Sequence, residues 1–401
     1  MNTFYLIGHI FSWAVFIYFA ANTIYLFVIA VFGLLIKGKK FTIQSDKYRI
    51  AVLIPCIRED RIILDTAQQA MMHDYPSSSF TVTVIADKLK AESISELRRI
   101  PVNVLEVDLN MKSRSLHAAL ETPAVTGSDI VMILDADNIM APGCLEKVNA
   151  AFHVGFQAIQ CHRTAKNKNT FVALLDAMSE EININLFRRG PAAVGLSAAP
   201  LGSGMAFKTN LIRDIFSTQE ILENPGEDRE IDMQLMQRKI KMEFLDDALV
   251  YDEKVTSAGV FERQRVRWLE AQLNHVRRFF DADMKTAKKT FLFYNKFFQN
   301  LLLPRVLTLV VFCILIATMS VQLIFHVPLL QPTPLIWIAM MGLYFLTLLI
   351  SIPRSFYSLK TARALSRLPL LMFSMIRAVF QMKKKRTEFL HTPKSFTEER
   401  N

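Results

Sequence analysis

Two long runs without a charged residue constrain this chain more than any other feature. Residues Met1 to Ile36 contain no Asp, Glu, Lys or Arg, and neither do residues Val306 to Pro353. A bilayer core about 30 Å thick is crossed by about 20 apolar helical residues. The first run is therefore long enough to span once. It does not read as a cleaved signal peptide, because no basic segment precedes the apolar stretch and no small-x-small site follows it. The second run is interrupted by Pro328, Pro332 and Pro334. Proline removes a backbone donor that a lipid-facing helix needs, so the cluster reads as a turn between two spans, at about 306–327 and 335–352. Three crossings are expected.

Charge predicts their direction. Lys37, Lys39 and Lys40 follow the first run at once, and the segment after Pro353 carries a net +8 of the chain's +10. Basic flanks stay in the cytoplasm. The N-terminus is then outside, and both the segment from Lys37 to Arg305 and the C-terminal tail are cytoplasmic, in an integral protein of the plasma (inner) membrane. Basic charge beside membrane segments suits anionic lipid rather than nucleic acid. Thr290–Leu303 and Leu365–Met382 mix aromatic or apolar residues with polar and basic ones, and read as helices lying in the interface.

The central segment reads as α/β. Short apolar runs at Arg49–Pro55, Phe80–Ile85, Val102–Val107, Ile130–Leu134 and Phe156–Gln160 alternate with helical patterns at Asp60–Met72, Ser93–Arg98, Ser113–Glu121 and Gly143–Phe152. This alternation predicts a mostly parallel, Rossmann-like sheet covered on both faces, with ligands at the carboxyl ends of its strands. The predicted division is a membrane helix in 1–40, a catalytic domain in 41–285, and interfacial helices, two spans and a basic tail in 286–401. A chain that is 51% hydrophobic is not disordered. Its four scattered cysteines suggest neither a zinc ribbon nor a disulfide framework.

Several polar clusters fall where chemistry is expected. Asp135 and Asp137 follow the most apolar strand and point to one side of an extended segment. Two such carboxylates repel unless a cation sits between them, which suits Mg2+ or Mn2+ shared with a diphosphate; helix capping is the alternative. Glu227 and Asp228 open a helix after Pro225-Gly226, either as caps or as a positioned general base. Gln264, Arg267 and Trp268 lie at i, i+3 and i+4, on one helical face. Arginine suits diphosphate oxygens and tryptophan offers a flat face to a sugar ring; a surface cation–π pair is the alternative. Gly202-Ser203-Gly204 permits close backbone approach.

Together, in this order, the elements resemble the membrane-bound family 2 glycosyltransferases, the group of cellulose, chitin, hyaluronan and poly-N-acetylglucosamine synthases. Ile54-Pro55-Cys56-Ile57-Arg58-Glu59 is similar to their V-I-P-x-x-N-E, with Arg58 in place of Asn. Met111-Lys112-Ser113-Arg114-Ser115-Leu116 is similar to G-K-A-x-A-L, with Met111 in place of Gly. Gln264, Arg267 and Trp268 match Q-x-x-R-W, and Phe389–Lys394 resembles the F-x-V-T-x-K gating loop, with His391 in place of Val.

The resemblance implies a GT-A fold and an inverting transfer from a UDP-sugar. Asp135 and Asp137 would hold Mg2+ or Mn2+. Pro55, Glu59, Asp87, Lys112, Arg267 and Lys394 would bind the donor. Gly202, Ser203, Gly204, Gln264 and Trp268 would contact the acceptor. Asp228, beside Glu227, would be the base. The acceptor implied is a growing β-linked polysaccharide, with a dimer or further chains completing an export pore. The alternative is one transfer to a membrane lipid, as in ceramide glucosyltransferases.

Overall fold

The computed structural model describes residues 3–382 apart from 225, 282, 283 and 285–287. The tail segment 389–394, including Lys394, lies outside the described residues. The elements in chain order are α1 (Thr3–Leu35), β1 (Ile50–Ile57), α2 (Ile63–Met71), β2 (Phe80–Asp87), α3 (Ala91–Leu97), β3 (Asn103–Val107), α4 (Lys112–Leu120), β4 (Ile130–Ile133), β5 (Ile139–Met140), α5 (Cys144–His153) and β6 (Ala158–Ala165). Then come α6 (Phe171–Ile184), β7 (Met205–Lys208), α7 (Thr209–Phe216), α8 (Glu227–Gln237), β8 (Glu243–Asp252), α9 (Ala258–Arg278), α10 (Phe291–Leu301), α11 (Arg305–Phe325), α12 (Pro334–Ile350), α13 (Leu359–Leu365) and α14 (Leu368–Phe380).

β1 is apolar almost throughout because both faces of the sheet are covered. Ile50, Val52, Ile54 and Cys56 pack with α2 and α5 on one face. Ala51 and Leu53 point the other way, into a core with Leu116, Phe207 and Phe216. This is the period-two alternation of a strand, used on both sides.

The eight strands run in the order β3-β2-β1-β4-β7-β6-β8-β5. The neighbours β3, β2, β1 and β4 are parallel, as are β6 and β8; β7 is antiparallel to both β4 and β6, and β5 to β8. Because β7 reverses, its amino end lies at the same sheet edge as the carboxyl ends of β1, β2, β4, β6 and β8. The Gly202–Gly204 turn thereby meets the Asp135–Asp137 loop. Neither β7 nor β8 stands out in the sequence. β7 is short and merges with the glycine turn, while β8 carries Glu243, Asp246, Asp247 and Asp252 along a strand with a bulge opposite Cys161/His162.

α1, α6, α11 and α12 share a second apolar core that includes Phe19, Leu175, Phe312, Trp337 and Tyr344. α1 and α11 are long and apolar enough to cross a membrane. α12 has 17 residues and is shorter. The end of α1 docks on the helix that continues α6. There the chain makes a π-turn at Asn185–Arg189, and Asn185 Nδ2 donates to Ala30 O at 3.3 Å and Ser351 Oγ at 3.1 Å. Gly190 lets the two backbones touch, since a Cβ there would lie 2.4 Å from Ile29 O. The 365–382 region forms a break followed by α14, which buries Leu371, Met375 and Ala378 and exposes Phe373 and Phe380.

Candidate active site

The sheet edge opens into a cavity of about 2020 Å³, lined by Pro55, Glu59, Lys112, Asp135, Asp137, Gly202, Glu227, Asp228, Gln264, Arg267 and Trp268. Residues separated by more than two hundred positions thus share one chamber. Its size exceeds the roughly 300–1,000 Å³ usual for one small ligand, leaving room for two.

Lys112, the first residue of α4, ties the donor-side acids to the α8 turn. Its Nζ lies 2.6 Å from Asp135 Oδ1 and 2.9 Å from Glu227 Oε1, and donates to Gly202 O at 2.7 Å. Burial works against its charge, but the two carboxylates outweigh it and raise its pKa. Burial pushes the Glu227 carboxyl up, against the pull of Lys112. Asp228 sits beside Glu227 in the first turn of α8 and accepts from Arg229 N at 2.9 Å. Gly202 adopts φ +79°, which favours glycine; a Cβ there would come within 3.8 Å of both Asp228 Oδ2 and Lys112 Nζ.

The remaining predicted residues lie elsewhere. Ser203 and Gly204 are buried and do not line the cavity. Ser203 Oγ accepts from Asp135 N at 2.9 Å and donates to Asn138 Oδ1, so it holds the acidic loop from beneath. Asp87 is also fully buried and off the cavity wall. Ser115 Oγ donates to its Oδ2 at 3.0 Å, and its Oδ1 has no hydrogen-bond partner. The sequence pairs Arg267 with Trp268 by spacing, but the guanidinium over the Trp268 ring belongs to Arg265, at 4.0 Å.

Sequence reasoning missed α6. One face of this helix carries Asp176, Ser179, Glu180 and Asn183, and each holds a residue from another element. Asp176 pairs with Arg265 of α9. Glu180 accepts from Arg163 Nε of β6 at 2.9 Å and pairs with Lys254, which also lies 2.6 Å from Asp252 Oδ2. Arg163 Nη1 in turn approaches Asp135 Oδ2 at 3.9 Å. Burial alone would raise the Glu180 carboxyl, but Arg163 and Lys254 together hold it below its ordinary value. The only trace in the sequence is acids spaced four apart in an otherwise apolar helix.

Asp135 and Asp137 fit a small hard cation whose remaining ligands come from a diphosphate, since Mg2+-type sites typically use one or two carboxylates plus substrate phosphates. Among the described residues no group of three or more His, Cys, Asp or Glu side chains encloses a metal by itself.

The sequence matches the family model "Glycosyltransferase like family 2" over residues 48–271, more than half of the chain. The chain belongs to this glycosyltransferase family. Its matched region holds β1 to β8 and the motif on α9, in the GT-A arrangement. Among solved structures, the glycosyltransferase is similar to the mannosyltransferase PcManGT from Pyrobaculum calidifontis in complex with GDP-Man and Mn2+. That likeness is 15% identical, covers 90% of this chain and 98% of that one, and has a TM-score of 0.48. Glucosyl-3-phosphoglycerate synthase from Mycobacterium tuberculosis, in complex with Mn2+, UDP and glucosyl-3-phosphoglycerate, is 14% identical over 57% of this chain and 80% of that one, with a TM-score of 0.38. No curated protein matches the sequence. In this glycosyltransferase Asp135, Asp137, Glu227 and Asp228 line the same chamber as Gln264, Arg267 and Trp268 of α9.

Proposed function

We propose that this glycosyltransferase moves one sugar, with inversion, from a UDP-sugar to a lipid acceptor at the cytoplasmic membrane face. The observation that supports a nucleotide-sugar reaction is the convergence of Asp135, Asp137, Asp228 and Trp268 on one cavity. The lipid reading is favoured by the apolar part of that cavity's lining, which includes Leu309, Phe345, Leu348, Leu349, Ile352 and Leu371. An alkyl chain gains from such a wall, and a hydrated polysaccharide does not.

Asp135 and Asp137 would hold Mg2+ or Mn2+, which neutralises charge on the leaving diphosphate. Asp228 takes the proton from the acceptor hydroxyl as its oxygen bonds to the anomeric carbon; the bond from that carbon to the nucleotide's phosphate oxygen breaks. Trp268 orients the acceptor, and Gln264 Oε1, buried without a partner, is placed to accept from a sugar hydroxyl. The topology belongs to this proposal: α1, α11 and α12 as spans, the N-terminus outside, and the GT-A domain and tail in the cytoplasm.

Membranes containing the full chain, given radiolabelled UDP-sugars with Mg2+ or Mn2+, test the reading. One labelled sugar in the organic phase with UDP release is expected. A long water-soluble product identifies a polysaccharide synthase instead, and absence of donor consumption under any metal removes both.

A further inference from the structure

Arg305 opens α11 and lines the cavity together with Val306 and Leu309 of its own helix and Phe345 and Leu348 of α12. The Arg305 guanidinium donates to Ser179 O and Ser179 Oγ, each at 2.7 Å, and to Asn183 Oδ1. All three acceptors are neutral. Among the described residues no carboxylate lies within ion-pair distance of it, and Asp176, which attracts it from further away, is already paired with Arg265.

An arginine carries five N–H donors, so three hydrogen bonds leave two to spare. Arg305 is only partly exposed, and a cation with no counter-ion in reach is left for a ligand to neutralise. The neighbouring guanidinium contrasts with it: Arg265 has both an acid and an aromatic face. Arg305 therefore stands as a positive charge with no carboxylate in ion-pair reach, next to the apolar cavity residues Val306 and Leu309 of its own helix.

We propose that the acceptor is a lipid-linked saccharide whose lipid and sugar are joined through a phosphate ester, with that phosphate on Arg305. The tail then runs along Leu309, Phe345 and Leu348, the phosphate takes the free N–H groups of Arg305, and the sugar hydroxyl reaches Asp228 beside Trp268. A guanidinium suits phosphate oxygens in both charge and shape. This rests on the lipid-acceptor reading above. It adds the charge of the linker, which that reading leaves open.

The test is direct binding to the purified full chain in nanodiscs, by calorimetry, using phytanyl phosphate, phytanol and inorganic phosphate as probes. Phytanyl phosphate should bind roughly tenfold or more tightly than phytanol, and Arg305→Gln should abolish that preference while UDP binding in the presence of Mn2+ is unchanged. Equal binding of phytanol and phytanyl phosphate by the native chain overturns the proposal without any variant. So does a preference that survives in Arg305→Gln, a loss of UDP binding in that variant, or inorganic phosphate binding as tightly as the phosphorylated lipid. The product assay described above reads the transfer reaction separately. A chain that makes only polysaccharide fails there, and one that glycosylates neutral lipid without preference fails here.

Discussion

The Arg265 guanidinium lies 4.0 Å from the centre of the Trp268 ring and is ion-paired with Asp176 of α6. Both charged groups are buried. The indole is thereby clamped through a cation whose own position is set by a helix nearly ninety residues earlier. Removing one partner of a buried pair leaves an uncompensated charge, so the clamp should loosen when the acid is lost.

Asp176→Asn should raise the acceptor KM by about tenfold while leaving the donor KM unchanged, because orientation of the acceptor is what is lost. Fluorescence anisotropy of Trp268, with Trp13 and Trp337 replaced by Phe, should report a more mobile indole. An unchanged anisotropy and an unchanged acceptor KM would show that the pair does not position the ring.

Asp228→Asn should lower kcat by about 10²–10⁴-fold, the usual contribution of a general base. UDP binding should persist, since the proposed base meets the acceptor hydroxyl and not the nucleotide. Turnover at the native rate would take the base role from Asp228.

Asp137→Asn should weaken Mn2+ binding measured by calorimetry in the presence of UDP, and chelation of the native protein should stop UDP release. If the variant binds Mn2+ as well as the native chain does, the acidic pair is a loop support and not a metal site.

His162 makes stability depend on pH at the alkaline end. Burial opposes its charge, but contacts at 3.2 Å to both Asp246 and Glu181 outweigh it and hold the imidazole protonated up to about 9. A folded pKa above the ordinary 6.5 means this stabilisation is complete below about pH 6.5 and is lost as pH rises through about 9. Its size is on the order of 3 kcal/mol. Arg189 also holds Asp246, at 2.7 Å. Tm should fall between pH 7 and 10, and His162→Gln should flatten that slope; equal slopes in the two proteins would remove His162 from the account.

Gly190→Ala should separate α1 from the helix that follows α6. The added Cβ would meet Ile29 O at 2.4 Å, closer than atoms tolerate, and that oxygen belongs to a rigid helix. A loss of about 1–3 kcal/mol is expected from such overpacking, seen as a lower Tm in detergent. Native-like melting would mean that the two helices part without cost.

Much of this molecule is legible before any coordinates. The apolar runs mark α1, α11 and α12 because uncharged length is a one-dimensional property. β1, β2, β4 and β6 announce themselves through short apolar runs, since strands buried on both faces have little choice of residue, and the edge strand β3 does so through its alternating Val and Leu residues. Asp135, Asp137, Asp228 and Trp268 are visible because each stands in a local cluster of polar or aromatic residues, and all four line the cavity.

What the sequence could not decide is what each of these groups leans on. Arg265 rather than Arg267 stacks on Trp268, Ser203 faces the acidic loop rather than the chamber, and Asp176 and Glu180 serve elements on both sides of the cavity. These partnerships join residues up to ninety positions apart, and their energy depends on distance and burial, which a linear pattern does not encode. Residue types and periodicity determined the strands, the long apolar helices and the polar clusters. Only the tertiary packing, through the reversal of β7 and the seating of α9 and α11 on α6, decided which charges are neutralised and which, like Arg305, are left facing the cavity.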